Sequence, residues 1–188
     1  SPSRGLGDVY KRQIYNIAYN IYFNYKIMYN VQTIASYFID TANLKIIDED
    51  GSTEWISHLK LQKILYFAQA VFLSMKYNAL FDEDILAWKF WPVVESIYDE
   101  YSRTRKKWSS LLLKEDILDP NFSEVIEEEN KKLLNEIYKE FWKYSAGELV
   151  DITHSHKPWK DSFEEWKSNI ISKELIWEYY KDLFTVED

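Results

Sequence analysis

The chain has 188 residues, enough for one globular domain with a hydrophobic core. Aromatic residues make up 18% of it, which excludes a disordered chain, and the lack of cysteine excludes disulfides, thiol catalysis and cysteine-ligated zinc. The net charge of −8 argues against nucleic acid as a partner, because proteins that bind it neutralise phosphates with basic side chains.

The first 27 residues differ in character from the rest. The run DVYKRQ, Asp8 to Gln13, reads as the translation of a transposon-end adapter used in sequencing libraries. The Asn-rich stretch after it lacks the roughly 20 apolar residues of a membrane span and the small-residue cleavage site of a signal peptide. We expect residues 1–27 to be a non-native leader, with an extra amphipathic helix as the alternative. Residues 28–188 then form the domain, which we expect to be cytoplasmic and to have no membrane partner.

Helical periodicity begins at Met28. Apolar residues recur at helical spacing through MYNVQTIASYFIDTA, and DEDGS, Asp48 to Ser52, is typical of a turn. Ser57 then stands where it can cap a second helix, whose apolar face includes Leu61, Ile64 and Leu65.

The next segment changes period. Residues Ile85 to Trp91 are apolar, short and followed by Pro92, which predicts a strand or hairpin arm. Pro92 is also a candidate for the first residue of a helix over VVESIYDEYSR, where its missing N–H does no harm.

The second half of the sequence predicts further helices. One long helix is expected over FSEVIEEENKKLLNEIYKEFWKYS, with Glu127–Lys131 and Glu128–Lys132 pairs on its solvated face. A short helix over SAGELVDI and a terminal helix over KELIWEYYKDLF follow. The predicted fold is mainly α, a single compact helical domain with a short β-strand or hairpin near residues 80–91.

Three blocks of the sequence carry a resemblance to a known family. LKLQKILYFAQA (Leu59 to Ala70), LFDEDILAWKFWPVVESIYDEY (Leu80 to Tyr101) and ELVDITHSHKPW (Glu148 to Trp159) resemble, in order, the motifs of the Panacea domain of SocA-like antitoxins and phage-associated GepA-type proteins. The residues that match these motifs, and for which we expect structural roles, are Leu61, Pro92, Val93, Thr153, His154, Pro158 and Trp159. Trp91 departs from the pattern, because the family has Gly before the proline; the turn is built differently here, or the ring covers something.

The resemblance implies a binding protein and not an enzyme. Proteins of this family act as antitoxins that neutralise a toxin by direct contact, so the expected partner is a cognate protein toxin from a neighbouring gene. One alternative is a protease adaptor that delivers a toxin for degradation, with a protease as second partner. No cofactor is implied.

The histidines around ITHSHKPW leave a different alternative open. A metal-dependent hydrolase would use His154 and His156, with Asp151 and His58 as further ligands. Two imidazoles supply at most two of the three or four ligands that a metal needs. We therefore expect Thr153 and His154 to make local hydrogen bonds and His156 to be exposed.

The candidate partner-binding residues lie in the first two blocks. Gln62, Lys63 and Tyr66 either form a surface that holds the toxin or, in the alternative, Lys63 lays its stem across the core and pairs with an acid. Eight tryptophans are too many for full burial, and aromatic residues are enriched at protein interfaces. Trp88 is a further candidate contact residue, and Trp91 and Tyr98 are the expected exposed anchors.

Overall fold

The helices and strands follow the predicted periodicity closely. The computed structural model describes residues 28–44, 55–76, 78–104, 107 and 110–183. Its elements are α1 (Val31–Leu44), α2 (His58–Lys76), β1 (Ile85–Trp88), β2 (Trp91–Val94), α3 (Glu95–Arg103), a 3₁₀ turn (Lys114–Asp116), α4 (Phe122–Val125), α5 (Glu128–Trp142), α6 (Ala146–Ser155), α7 (Lys157–Ser162), β3 (Ile170–Ile171) and α8 (Lys173–Tyr180). The predicted mainly α fold with a hairpin is confirmed.

Helix α2 lies at the centre of the domain. Its start is capped as predicted, because the Lys60 N–H donates to Ser57 Oγ at 3.1 Å. The helix packs against α1, α3, α5, α6, α8 and β2. Nearly all of its side chains are therefore buried, polar ones included. A helix enclosed on all sides has no solvent face, so its polar residues are buried along with the apolar ones.

The strands form a small antiparallel sheet in the order β2-β1-β3. Trp88 pairs with Trp91 at the end of the β1–β2 hairpin, and Ile85 pairs with Ile171 of β3. Pro92 lies within β2, so its prediction as the first helical residue is wrong; α3 begins at Glu95. An edge strand tolerates proline because one side of it needs no ladder hydrogen bond.

The expected single long helix is broken into α4 and α5. Ile126 and Glu127 have extended backbones between them, and Ile126 turns into the core. Tyr29 holds the break, since its hydroxyl accepts the Glu127 N–H at 3.3 Å and the Asn130 Nδ2–H at 2.7 Å. The predicted ion pairs are wrong: Lys131 pairs with Glu128, at 2.6 Å.

Two predictions fall outside the described residues: the leader over residues 1–27 and the turn at Asp48 to Ser52. Within the part of the chain that is described, none of the helices has the length and apolar character needed to cross a bilayer.

Candidate functional site

Two glutamines of α2 hold backbone that follows the helix in the chain. Gln62 is buried; its Oε1 accepts the Val94 N–H at 2.9 Å, and its Nε2 donates to the Val94 carbonyl at 3.3 Å. Gln69, seven residues on, accepts the Leu80 N–H at 2.7 Å and donates to the Phe81 carbonyl at 2.9 Å. Both carboxamides therefore fix the segment that carries the hairpin.

Lys63 is enclosed beneath the hairpin. Its side chain is fully buried, and among the described residues no hydrogen-bond partner lies within reach of Nζ. The Trp91 ring lies over it, with 5.1 Å from Nζ to the ring centroid. Burial holds the pKa of the Lys63 amine well below its usual range, because the charged form loses its hydration.

The predicted exposure of this part of α2 and the predicted acid partner of Lys63 are wrong, while the partner-binding role of these residues stays a prediction. Gln62, Lys63 and Tyr66 are buried, so they form no exposed surface, and no described carboxylate pairs with Lys63. Tyr66 packs edge-on against Tyr180, and burial raises the pKa of its phenol. All three side chains are buried because other elements enclose α2. The family motif has Gly at the position of Trp91. The Trp91 ring covers the Lys63 amine, a contact that Gly cannot make.

Trp91 and Tyr98, the expected exposed anchors, are half-buried. Trp91 covers Lys63, and Tyr98 packs against Trp88 at 4.9 Å and His58 at 5.8 Å between ring centroids. The prediction of Trp91 and Tyr98 as exposed is therefore wrong, and Trp88 is half-buried in the same cluster.

Different aromatic rings face solvent. Phe90, at the tip of the hairpin, is 58% exposed, and Trp166, in the loop before β3, is 91% exposed. The Lys89 ammonium lies 5.8 Å from the Phe90 ring centroid and 5.9 Å from that of Trp166. We call Lys89, Phe90 and Trp166 the aromatic patch. Trp166 has a φ of 66°, a left-handed backbone that non-glycine residues seldom adopt.

Sequence reasoning missed the aromatic patch, although weak signals for it exist. Phe90 occupies the turn between two paired strands, where a side chain points away from the sheet. Trp166 lies in FEEWKSN, a polar stretch without apolar residues at helical spacing. An isolated tryptophan of this kind has no core face to join.

The Thr-His and Pro-Trp motif joins α6 and α7 to the hairpin. Trp159 Nε1 donates to the Trp88 carbonyl at 3.0 Å, and the Trp159 ring stacks on His154 at 3.9 Å. Thr153 is buried and donates to the Val150 carbonyl at 2.9 Å. The remaining motif residues, Leu61, Pro92, Val93 and Pro158, are buried. These contacts position the hairpin over α2.

The histidines face different surroundings. Burial lowers the pKa of His154, a backbone hydrogen bond with Phe90 partly opposes this, and the nearby Lys63 lowers it further. His156 is half-buried, not exposed as expected, and its Nδ1 lies 2.6 Å from the Tyr180 hydroxyl. His58 is buried in a third place, against Tyr98 and Tyr101.

The positions of the histidines and of Asp151 test the alternative of a metal-dependent hydrolase. Burial lowers the pKa of His58 and of His156 to about 4, so both rings are neutral at pH 7. Asp151 is exposed. Over the described ranges, no three carboxylate or imidazole groups come together in a way that could hold a metal ion. The ligand set that a hydrolase needs is therefore not assembled there.

An acidic cleft of about 440 Å³ opens beside the sheet. Its carboxylates belong to Glu83, Asp84 and Glu95, and none of them forms an ion pair with another described residue. Its other lining residues are Leu86, Ser96, Ser168 and Ile170. The cleft concentrates part of the net negative charge of the chain at one place.

Comparisons with known proteins place this arrangement among relatives. The family model described as Antitoxin SocA-like, Panacea domain matches residues 61–160, which run from α2 into α7. Antitoxin SocA of Caulobacter vibrioides (strain NA1000 / CB15N) is 34% identical in an alignment of 114 positions that covers 55% of this chain. The chain spans 58% of the length of that curated relative. No solved structure matches the chain.

Proposed function

Since the chain belongs to the SocA-like antitoxin family with a Panacea domain, we propose that it is an antitoxin that neutralises a cognate protein toxin by direct contact. The match of residues 61–160 to the family model is the observation that carries this proposal. It includes most of α2, the hairpin and the Thr-His and Pro-Trp motif, whose contacts position the hairpin over α2.

The aromatic patch supports binding through a protein interface. Aromatic rings supply most of the binding energy at many interfaces, and two large exposed rings that share one neighbouring lysine are uncommon on a surface with no partner. In this proposal Phe90 and Trp166 contact the toxin, while the charged groups around them form the rim of the interface.

The acidic cleft supports the same role through charge. A chain of net charge −8 attracts a basic partner at long range, and Glu83, Asp84 and Glu95 concentrate that attraction beside the sheet. Attraction of this kind raises the association rate more than the final affinity. The proposed toxin is therefore a basic protein.

The proposed mechanism makes and breaks no covalent bond. His154 and His156 are engaged in stacking and hydrogen bonds that build the domain. The antitoxin acts by covering the surface that the toxin needs, so one molecule inactivates one toxin.

The test is growth after co-expression with the open reading frame adjacent to the gene. That reading frame, expressed alone, is expected to stop growth, and co-expression of this chain is expected to restore it. Restoration must persist in a host that lacks the ATP-dependent proteases. Restoration only in the host that has them would show the chain to be a protease adaptor, and no restoration in either host contradicts an antitoxin role.

A further inference from the structure

Two buried nitrogen atoms under the hairpin have no hydrogen-bond partner among the described residues. One is Lys63 Nζ and the other is His154 Nε2. Both groups lie beneath the hairpin: Lys63 Nζ is under the Trp91 ring, and the His154 ring stacks on Trp159, whose Nε1 donates to the Trp88 carbonyl. Buried polar groups are nearly always hydrogen-bonded, so two such atoms beneath one hairpin are candidates to bind a ligand group.

The chemistry of this pair favours an anion. An ammonium is a donor only, and an imidazolium donates from both nitrogens. A carboxylate between Lys63 and His154 would satisfy both donors and would favour their charged forms. The His154 ring is already oriented for this by stacking on Trp159 at 3.9 Å and by its hydrogen bond to the backbone of Phe90.

The Lys63 amine lies beneath the ring of Trp91. The half-buried Trp91 ring lies over Lys63 at 5.1 Å, and it contacts the exposed Phe90 ring at 5.6 Å between centroids. A partner that packs on Phe90 therefore also presses on Trp91. Displacement of this side chain is the proposed route to the amine.

The surroundings favour a protein as the source of the carboxylate. The pair lies beneath the hairpin tip, which carries the exposed Phe90 of the aromatic patch. Rings around a central charge exclude water from it, an arrangement typical of protein interface hot spots. A free small carboxylate would gain nothing from the exposed rings beside the entrance.

We propose that Lys63 and His154 form a buried site for one carboxylate of the protein partner, which enters when the Trp91 ring is displaced. This inference rests on the proposed function for the identity of that partner as the toxin. The existence of the carboxylate site itself does not depend on it, so the two can fail separately.

The first experiment tests the site without the toxin. Trp91→Gly removes the covering ring, and sodium acetate is the probe. The melting temperature of W91G is expected to rise by several degrees between 0 and 200 mM acetate, relative to sodium chloride at equal ionic strength. The double variant W91G/K63M is expected to show no such rise. Equal responses of the two variants, or no response of W91G, would overturn the site.

The second experiment uses the intact hairpin and asks for the source. Lys63→Met is expected to melt at the same temperature as the wild type or higher, because Nζ has no hydrogen bond to lose. It should bind the product of the adjacent reading frame about 30-fold more weakly or worse. The control Lys60→Met, on the same helix, removes the bond from Nζ to the Trp142 carbonyl; it should lower the melting temperature and leave binding unchanged.

The two experiments separate the possible failures. Unchanged binding by K63M would overturn a protein carboxylate as ligand, even if acetate stabilises W91G. If the wild-type chain neither binds the product of the adjacent reading frame nor restores growth, the proposed function fails. The acetate response then still decides whether the site exists.

Discussion

The carboxamide of Gln62 bonds both the N–H and the carbonyl of Val94, 32 residues along the chain, at 2.9 and 3.3 Å. Val94 ends β2 and precedes α3, and no side chain caps that helix. One buried side chain of the central helix therefore fixes the hairpin and the start of α3 together.

Replacement of Gln62 by Leu is expected to lower the free energy of unfolding by about 2–4 kcal/mol, because two buried backbone groups lose their partner. Chemical denaturation measures this. The matched control is Gln32→Leu on α1, whose side chain is half-buried. It should change the free energy of unfolding by less than about 0.5 kcal/mol. Similar values for the two variants would contradict the role given to Gln62.

Trp166 is expected to lower the stability of the domain and to strengthen binding to the toxin. Replacement by Gly relieves the left-handed backbone at φ 66° and should raise the free energy of unfolding by about 1 kcal/mol. The same change removes an exposed ring and should weaken binding to the toxin at least tenfold. A W166G variant that binds as tightly as the wild type would show that Trp166 does not contribute to the interface.

The stability of the domain is expected to fall in mild acid. Burial lowers the pKa of His58 and His156 to about 4, while the unfolded chain binds protons near pH 6.5. Between these values the unfolded state binds more protons, so the free energy of unfolding decreases as the pH falls from about 6.5 to 4. Each histidine contributes about 1–3 kcal/mol.

Denaturation curves at pH 7, 6 and 5 measure this fall. His156→Gln can still hydrogen-bond Tyr180 but cannot titrate, so its free energy of unfolding should decrease less steeply than that of the wild type. Parallel decreases for variant and wild type would show that the His156 pKa is not lowered by folding.

The acidic cleft is expected to control the rate of association. Asp84→Asn with Glu95→Gln should lower the association rate constant several-fold at low salt and make it less dependent on ionic strength. Stopped-flow mixing with the toxin measures both. The control pair, Glu124→Gln with Glu129→Gln, removes two exposed charges elsewhere. An equal effect of the control pair would show that only net charge matters.

Sequence periodicity predicted the helices and the hairpin, because apolar spacing reports directly which face is buried. Ser57 as a cap was also predictable, since capping depends on neighbours in the chain. The break between α4 and α5 was not, because it depends on Tyr29, nearly a hundred residues away.

The site was predicted less well for a related reason. Gln62 and Lys63 are polar, and the sequence allows either a toxin-binding surface or a core position for Lys63 with an acid partner, whereas the hairpin and α6 close over both residues. Nothing within α2 indicates that distant segments cover both residues. The eight tryptophans likewise indicated an exposed aromatic surface, but its members are Phe90 and Trp166 in place of Trp91 and Tyr98. Exposure in a turn depends on which neighbouring loop packs over it.

Titration of the purified toxin with the purified chain tests the central claim most directly, because it separates binding from catalysis. Without any protease present, toxin activity should fall linearly with added chain and vanish near one equivalent. The residual activity at each ratio should not change on further incubation. Loss of toxin activity at a small fraction of one equivalent, growing with time, would show turnover by the chain and contradict an antitoxin that acts by occupying a surface.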